Sequence, residues 1–246
     1  MPHYSLPVIQ DVRAIKTARE VANIVKAQRA AEVVLKLAVG KLRVGVSEIS
    51  IARSLVAGLK HRGIKILAFE PIVAFGQGSA DIHHWATNAR LKCNQVVMID
   101  FGATWQRYCS DMTRTFFFGK PTPRFKRVYQ AVLTAQERAL KLLAQGEKRA
   151  TKIDASARTF LHRKFGLKRF THGLGHGLGT VIHEWPNFKP QSPDLLKPGM
   201  VMTVEPGVYL KGWGGVRIED MVLIERSGIR NLTRAPKDLS SIIIRP

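Results

Sequence analysis

The residues of this chain best suited to chemistry are four carboxylates that lie in apolar, β-branched segments. Asp100 and Asp111 stand in VVMIDFGATWQRYCSDMTRTFFFG, while Glu205 and Glu219 stand in MTVEPGVYL and GGVRIEDMVL. If the first segment turns near residues 105–106, Asp100 and Asp111 lie opposite each other with Cβ atoms about 5 Å apart. Like charges so close are unfavourable among apolar residues, and a divalent cation removes that penalty. The combined ligand charge of about −4 matches two divalent metal ions.

Histidines cluster in two further segments, and imidazole can serve as a metal ligand or as a proton carrier. THGLGHGLGTVIHEWP contains His172, His176 and His183, and SADIHHW contains His83 and His84. Five of the eight histidines fall in these two segments, which indicates a common site. The glycines of the first segment let the backbone approach closely and free the imidazoles to point into a cleft. We expect His84 to lie outside the site.

The order of the predicted elements places these segments in two similar halves. Apolar residues at three- and four-residue steps predict a long helix over Ala14–Leu42, and a second helix begins at Ser47 and runs toward His61. Strand segments follow and form the first carboxylate-bearing hairpin. The second half repeats this order with the helical segments PRFKRVYQAVLTAQERALKLLAQG and TKIDASARTFLHRKFG, then the second hairpin. The apolar stripe of its long helix consists of Val128, Val132, Ala135, Ala139 and Leu142.

Bulk composition restricts the class of protein. The 246 residues are 45% hydrophobic and 23% charged, which is ordinary for a soluble globular chain. No apolar run approaches the roughly 20 residues of a membrane span. The first 16 residues lack the layout of a signal peptide, and Cys93 and Cys109 form no disulfide framework. We therefore expect a cytoplasmic protein with a single domain over residues 1–246.

The formal net charge of +21 is the most unusual bulk property. One interpretation is contact with an anionic partner such as nucleic acid or a ribosome. The other is a solvated cationic surface. Because the 39 lysines and arginines are dispersed and form no long tail, the second interpretation is favoured.

The blocks IDFGA…YCSDMTRTF, GHGLG…HEWP, TVEPGVYL and GGVRIED closely resemble the M24 metallopeptidases, and within them the Xaa-Pro peptidase branch. The resemblance runs from about Ala14 to Leu239. It implies an α+β chain with the pita-bread (creatinase/aminopeptidase) fold. In that fold, two pseudo-symmetric helix–helix–hairpin halves surround a curved antiparallel sheet. Five ligand positions in order and in context make the resemblance specific.

The resemblance also implies a dinuclear metal site, whose ligands are Asp100, Asp111, His176, Glu205 and Glu219. Asp111 and Glu219 would bridge the two ions. Manganese or cobalt is the expected metal, with zinc or iron as alternatives, because hard carboxylates with one imidazole suit all four. Ions roughly 3.5–4 Å apart would share a hydroxide and polarise the scissile carbonyl.

Further residues take roles through the same resemblance. His83 and His183 match histidines that contact substrate and stabilise the tetrahedral intermediate, a task in which hydrogen-bond donors are most effective. His172 and Arg217 match substrate-binding positions of the proline-specific branch. Glu205 would take the proton of the attacking water and pass it to the leaving amine.

Other interpretations of the acidic and basic residues stay open. Asp100 and Asp111 could cap backbone groups or pair with Arg114. Arg217 could pair with Asp220 rather than contact substrate. Both alternatives need no metal, and the structure can distinguish them from the metal site.

The expected function is a two-metal aminopeptidase that hydrolyses the N-terminal Xaa-Pro bond of peptides. Methionine aminopeptidase-like activity is the alternative, because the chain begins almost where the resemblance begins, without the extra N-terminal domain of many Xaa-Pro peptidases. GGVRIED and HEWP argue against that alternative. A catalytically silent peptide- or RNA-binding relative is the alternative from another class. The expected partner is a peptide; a homodimer is left open and no membrane contact is expected.

Overall fold

The computed structural model describes residues 12–246, so the expectation that no signal peptide is present lies mostly outside the described residues. A long helix, α1 (Ala18–Val39), is followed by a shorter one, α2 (Glu48–His61). The second half repeats this pair as α3 (Pro123–Ala144) and α4 (Ala150–Phe165). Each pair precedes a hairpin that bears carboxylates, as the sequence predicts.

Helix α1 begins later than the predicted Ala14 because a capping box fixes its start. The Thr17 hydroxyl accepts a hydrogen bond from the Glu20 N–H at 3.4 Å, and the Glu20 carboxylate accepts one from the Thr17 N–H at 2.7 Å. The helix ends before Gly40. Its buried face consists of Val21, Ile24, Ala27, Gln28, Ala31, Val34, Leu35 and Ala38.

Helix α3 begins where the Thr122 hydroxyl caps the Phe125 N–H at 3.2 Å, with Pro123 in the first turn. The buried stripe agrees with the prediction except at its end, where Leu143 is buried and Leu142 is half-buried. On an ideal helix, positions 142 and 143 lie about equally far from the centre of this stripe, one on each side, because successive residues are about 100° apart.

The strands are short and often interrupted. They are β1 (Ile66–Leu67), β2 (Ile72–Phe75), β3 (Gln95–Asp100), β4 (Ala103–Trp105), β5 (Tyr108–Cys109), β6 (Thr113–Phe118), β7 (Gly175–Gly177), β8 (Glu184–Phe188), β9 (Val201–Val204), β10 (Gly207–Leu210), β11 (Gly214–Arg217), β12 (Asp220–Ile224), β13 (Ile229–Asn231) and β14 (Ile243–Ile244). They form sheets in the orders β14-β6-β3-β2, β13-β12-β9-β7-β8, β1-β4-β5 and β10-β11. Among the described strands, pairing is antiparallel except between β6 and β14, which run in the same direction.

The register of the first hairpin differs from the prediction by two residues. Asp100 pairs with Thr113, so it does not lie opposite Asp111. The turn is made by Gln106 and Arg107, whose φ angles of 47° and 71° are left-handed. Two such residues in succession give the tight turn of a two-residue hairpin loop, one position later than we predicted.

In the second hairpin the two carboxylates lie opposite each other. Gly207 pairs with Arg217 in β10–β11, and Val204 pairs with Asp220 in β9–β12. Both pairs belong to the same antiparallel register. The two glutamates, at positions 205 and 219, therefore occupy opposing positions where the strands are interrupted.

One apolar core connects the two halves. It contains residues from both helix pairs and both hairpins, among them Leu55, Ile99, Phe125, Phe188 and Val222. A close-packed core that includes both hairpins holds them rigidly. None of the helices described in residues 12–246 is long and apolar enough to cross a lipid bilayer.

Candidate active site

A cavity of about 370 Å³ lies between the two hairpins, and every predicted site residue lines it. The predicted residues on its wall are His83, Asp100, Asp111, His172, His176, His183, Glu205, Arg217 and Glu219. Residues separated by more than a hundred positions in the chain are thus brought to one cleft. A concave site with several converging polar groups is the usual form of a ligand pocket.

The carboxylates of the cavity lie at strand ends and interruptions. Asp100 is the last residue of β3, and Asp111 lies in the interruption between β5 and β6. Glu205 lies between β9 and β10, and Glu219 between β11 and β12. Where a strand is interrupted, the side chain need not alternate with its neighbours, so it can be aimed into the cleft.

A buried glutamine of α3 stabilises the interruptions of the second hairpin. Gln136 Nε2 donates to the Val204 carbonyl at 2.9 Å and to the Ile218 carbonyl at 3.1 Å. Those carbonyls directly precede Glu205 and Glu219 in the chain. Buried carbonyl groups that leave a ladder need such a partner, and Gln136 supplies it from the helix.

Three side chains of the cavity can hold a divalent metal ion. Asp111, His176 and Glu219 each offer one ligand atom, and these atoms lie within 4.8 Å of one another. His176 Nε2 is 3.6 Å from Asp111 Oδ2 and 3.4 Å from Glu205 Oε1. His176 Nδ1 lies 2.9 Å from the Gly177 carbonyl, which only accepts, so Nδ1 carries the proton. The lone pair of Nε2 therefore faces the carboxylates, as metal ligation requires.

Asp100 offers a further ligand atom. Its Oδ2 accepts a hydrogen bond from Arg217 NH2 at 2.5 Å. Its Oδ1 is buried and has no hydrogen-bond partner among the described residues. A buried carboxylate oxygen without a partner is costly, and a cation between the hairpins would satisfy it. The donor set therefore fits divalent metal.

Arg217 is held by three side chains. Its NH2 donates to Asp100, its NH1 to the Tyr209 hydroxyl at 2.8 Å, and its Nε to the Thr113 hydroxyl at 3.0 Å. Only 2% of its surface is exposed. The structure thus shows Arg217 as the partner of Asp100. A direct contact between Arg217 and substrate stays a prediction.

The alternative ion pairs are resolved by the structure. Asp220 is bound by Arg114 NH2 at 2.7 Å, so it is not the partner of Arg217. Arg114 correspondingly pairs with neither Asp100 nor Asp111. Neither aspartate of the cavity is therefore held by Arg114.

His172 lies in a chain of hydrogen bonds that starts at Arg217. The Tyr209 hydroxyl accepts from Arg217 and donates to His172 Nε2 at 2.8 Å, because His172 Nδ1 already donates to the Gly173 carbonyl at 2.7 Å. Nδ1 also lies 4.0 Å from Glu205 Oε2. His172 is thereby fixed as a neutral imidazole at the cavity wall.

The pKa values follow from burial and from like charges. Burial raises the pKa of Glu205 to about 8, and the charge of Asp100 adds to the rise. Burial and neighbouring carboxylates also raise the pKa values of Asp111 and Glu219 well above their usual range. Burial lowers the pKa of His176 to about 4. The cluster therefore holds protons in the absence of a cation, while its imidazole ligand stays neutral at pH 7.

His83 and His183 lie at the exposed rim of the cavity. The His183 ring meets the His176 ring edge-on, with centroids 4.4 Å apart. His84 lies outside the cavity lining, as expected, and its Nε2 is 2.9 Å from Glu48 Oε2. The rim histidines are placed to meet a ligand that enters from solvent.

Sequence reasoning missed the hydroxyl groups of the site. Thr113 donates to Glu219 Oε2 at 2.8 Å, Thr203 donates to Glu205 Oε1 at 3.2 Å, and Tyr209 bridges two site residues. Each threonine lies two positions from a carboxylate in the chain, which on a regular strand is the same face. That spacing could have identified both threonines.

Comparison with known proteins identifies the family. Residues 22–226 match the model of metallopeptidase family M24. The Xaa-Pro dipeptidase of Pyrococcus furiosus is 39% identical over 94% of this chain, and the match covers 66% of that protein. The chain thus spans about two thirds of the length of this relative.

Solved structures agree in fold. The X-Pro aminopeptidase of Thermotoga maritima superposes with a TM-score of 0.92 at 35% identity, covering 98% of this chain and 67% of that one. The prolidase of Pyrococcus horikoshii gives 0.90 at 36% identity, covering 95% and 67%. The predicted pita-bread fold is confirmed, and the chain belongs to metallopeptidase family M24.

Proposed function

We propose that this chain carries the catalytic site of a two-metal aminopeptidase that hydrolyses the N-terminal Xaa-Pro bond of peptides. The observation that carries the proposal is the metal cradle. We use that name for Asp100, Asp111, His176, Glu205 and Glu219. Four carboxylates and a neutral imidazole converge there, and one buried carboxylate oxygen has no hydrogen-bond partner within residues 12–246.

The charge of the cradle supports two divalent ions rather than one. Four ionised carboxylates carry about −4, and Arg217 engages only one oxygen of Asp100. Asp111 and Glu219 are the proposed bridging ligands. Manganese or cobalt is the proposed metal, with zinc or iron as alternatives. When bound, such ions supply positive charge that acidifies a water molecule and polarises a carbonyl group.

The side chains around the cradle have separate tasks in the proposed reaction. Glu205 Oε1 or Oε2 accepts the proton of the attacking water and returns it to the leaving nitrogen. His83 and His183 donate hydrogen bonds to the carbonyl oxygen as negative charge develops on it. His172 stays neutral, because burial lowers its pKa to about 3, and it lines the substrate side of the cavity.

Two observations favour proline as the second residue of the substrate. The two solved structures named above and the Pyrococcus furiosus relative are described as Xaa-Pro peptidases or as prolidase. The wall of the cavity also has an apolar part, formed by Phe69, Ile72, Ile82 and Ile182. Such a wall suits a rigid pyrrolidine ring, which has no N–H to satisfy once in the peptide bond.

Peptide hydrolysis after metal exchange tests the proposal. The protein is stripped with EDTA, reloaded with Mn²⁺, Co²⁺ or Zn²⁺, and assayed on Ala-Pro-Ala, Ala-Pro and Met-Ala-Ser. We expect cleavage of the two proline substrates with metal and none without it. Cleavage of Met-Ala-Ser alone would show that the specificity is that of a methionine aminopeptidase. No hydrolysis with any metal, together with tight binding of RNA, would refute the enzymatic function.

A further inference from the structure

Glu184 directly follows His183 and is a buried carboxylate outside the metal cradle. Only 6% of its side chain is exposed. Its Oε1 accepts a hydrogen bond from Arg13 NH2 at 2.6 Å, and its Oε2 accepts one from the Lys16 ammonium at 3.2 Å. A carboxylate this buried normally serves a specific purpose, because its desolvation must be offset by several donors.

The same carboxylate closes the loop that carries His183. Glu184 Oε1 accepts from the backbone N–H groups of Thr180 at 3.0 Å and Val181 at 3.2 Å. The side chain folds back over Gly179, where a Cβ atom would lie 2.6 Å from Oε2. The loop therefore depends on Glu184 for its shape.

The cations that hold Glu184 belong to a segment that is itself fixed. The Lys16 N–H donates to the Gly199 carbonyl at 2.8 Å, and Ile15 forms a β-bridge with Met200. Only 2% of the Lys16 side chain is exposed. Residues 13–16 thus link the His183 loop to the start of β9, the strand that leads to Glu205.

His183 has no such support of its own. Its ring makes no hydrogen bond with another residue in the described part of the chain, and its nearest ring neighbour is His176 at 4.4 Å. The position of the imidazole is therefore set by the backbone on either side. On one side that backbone is the loop closed by Glu184, and on the other it is strand β8.

We propose that Glu184 is a positioning residue for His183, and that Arg13 and Lys16 form a clamp which holds Glu184 in place. This inference rests on the proposed function, because it assumes that His183 contacts the reacting carbonyl. It goes beyond that function by making residues 13–16 part of the machinery that shapes the substrate-facing loop.

Glu184→Gln removes the negative charge of the side chain and keeps its size. The variant keeps the acceptor oxygen for the loop but loses the attraction to Arg13 and Lys16. With Xaa-Pro substrate we expect kcat to fall about 30-fold while KM changes less than about twofold, since a displaced group near the reacting atoms costs up to about 100-fold. Glu225→Gln is the matched control, because it removes the same charge from the exposed pair with Arg230.

A second measurement needs no metal and no activity. In the EDTA-treated protein, hydrogen exchange of the Thr180 and Val181 amides should accelerate at least about tenfold in Glu184→Gln and in Lys16→Met. The Glu225→Gln control should exchange like the wild type. Lys16→Met leaves the loop sequence intact, so it tests the clamp even if Glu184→Gln does not fold.

A double-mutant cycle with His183→Ala decides whether Glu184 acts through His183. If it does, Glu184→Gln lowers kcat in the wild-type background but by less than about twofold when His183 is already absent. Independent losses that multiply, or unchanged amide exchange, would overturn the inference. If the wild type hydrolyses no peptide with any metal, the proposed function is refuted instead. The hydrogen-exchange experiment then still tests whether Arg13 and Lys16 hold Glu184 and its loop in place.

Discussion

Removal of metal should make the stability of this protein depend on pH in an unusual direction. Most buried carboxylates with ionic partners are stabilising when ionised, and stability falls as the pH falls. In the cradle, burial raises the pKa of Glu205 from 4.5 to about 8, and those of Asp111 and Glu219 also rise. The stabilisation linked to such a group is fully present below the unfolded pKa and is lost as the pH rises through the folded pKa.

The size of the effect follows from counting protons between pH 8 and pH 6.5. Throughout this window the unfolded carboxylates are ionised, whereas the folded cluster holds about one proton more. The unfolded histidines are nearly neutral at pH 8 and about half protonated at pH 6.5. Each pH unit then changes the free energy of unfolding by about 1.4 kcal/mol per proton, or about 2 kcal/mol over the window. Toward pH 6.5 the effect is partly opposed, because burial lowers the pKa values of His172 and His176 and only the unfolded chain protonates them. The two histidines together subtract about 1 kcal/mol over the window.

Urea unfolding of the EDTA-treated protein measures this directly. We expect its free energy of unfolding to be at least about 1 kcal/mol higher at pH 6.5 than at pH 8.0. Saturating Mn²⁺ should remove the difference, since the cation replaces the protons. Glu225→Gln, which alters an exposed pair, should keep it. Equal stability at both pH values in EDTA, or lower stability at pH 6.5, would refute the electrostatic account of the cradle.

Three substitutions test other parts of the site. Arg217→Met leaves Asp100 buried without its partner, and we expect the free energy of unfolding in urea to fall by about 3–5 kcal/mol; a loss below about 1 kcal/mol would show that the pair is dispensable. Thr113→Val removes the hydroxyl between Arg217 and Glu219, so calorimetric titration should show Mn²⁺ affinity about 10-fold weaker or more. Unchanged affinity would contradict that role. Gly175→Ala would place a Cβ atom 2.0 Å from a β9 carbonyl oxygen, and we expect circular dichroism to show a Tm lower than that of the wild type by about 5 °C or more. A native Tm would show that β7 and β9 can separate.

The carboxylates of the site could be found from the sequence because charged residues are rare in apolar strands. Asp100 and Glu219 are conspicuous among valines, methionines and isoleucines for this reason. The register of the first hairpin, by contrast, could not be predicted from the sequence. Gln106 and Arg107 are neither glycine nor asparagine, so the sequence gives no signal that both adopt left-handed backbone angles.

The partner of Asp100 was also beyond sequence reasoning. Arg217 lies 117 positions away, and the contact depends on how the two hairpins pack against each other. The Thr115 hydroxyl joins them, since it accepts from the Arg217 N–H at 3.1 Å and donates to the Arg217 carbonyl at 2.8 Å. Such contacts between distant segments leave no local pattern, whereas the helices and their caps do.

The most direct test of the account is the number of metal ions that the cradle holds. We propose that dialysis against Mn²⁺ followed by elemental analysis gives two ions per chain for the wild type. Asp111→Ala removes a proposed bridging ligand, so we expect it to retain fewer than one ion per chain. Two ions retained by Asp111→Ala would contradict the bridging role, and no Mn²⁺, Co²⁺ or Zn²⁺ retained by the wild type would contradict the two-metal site itself.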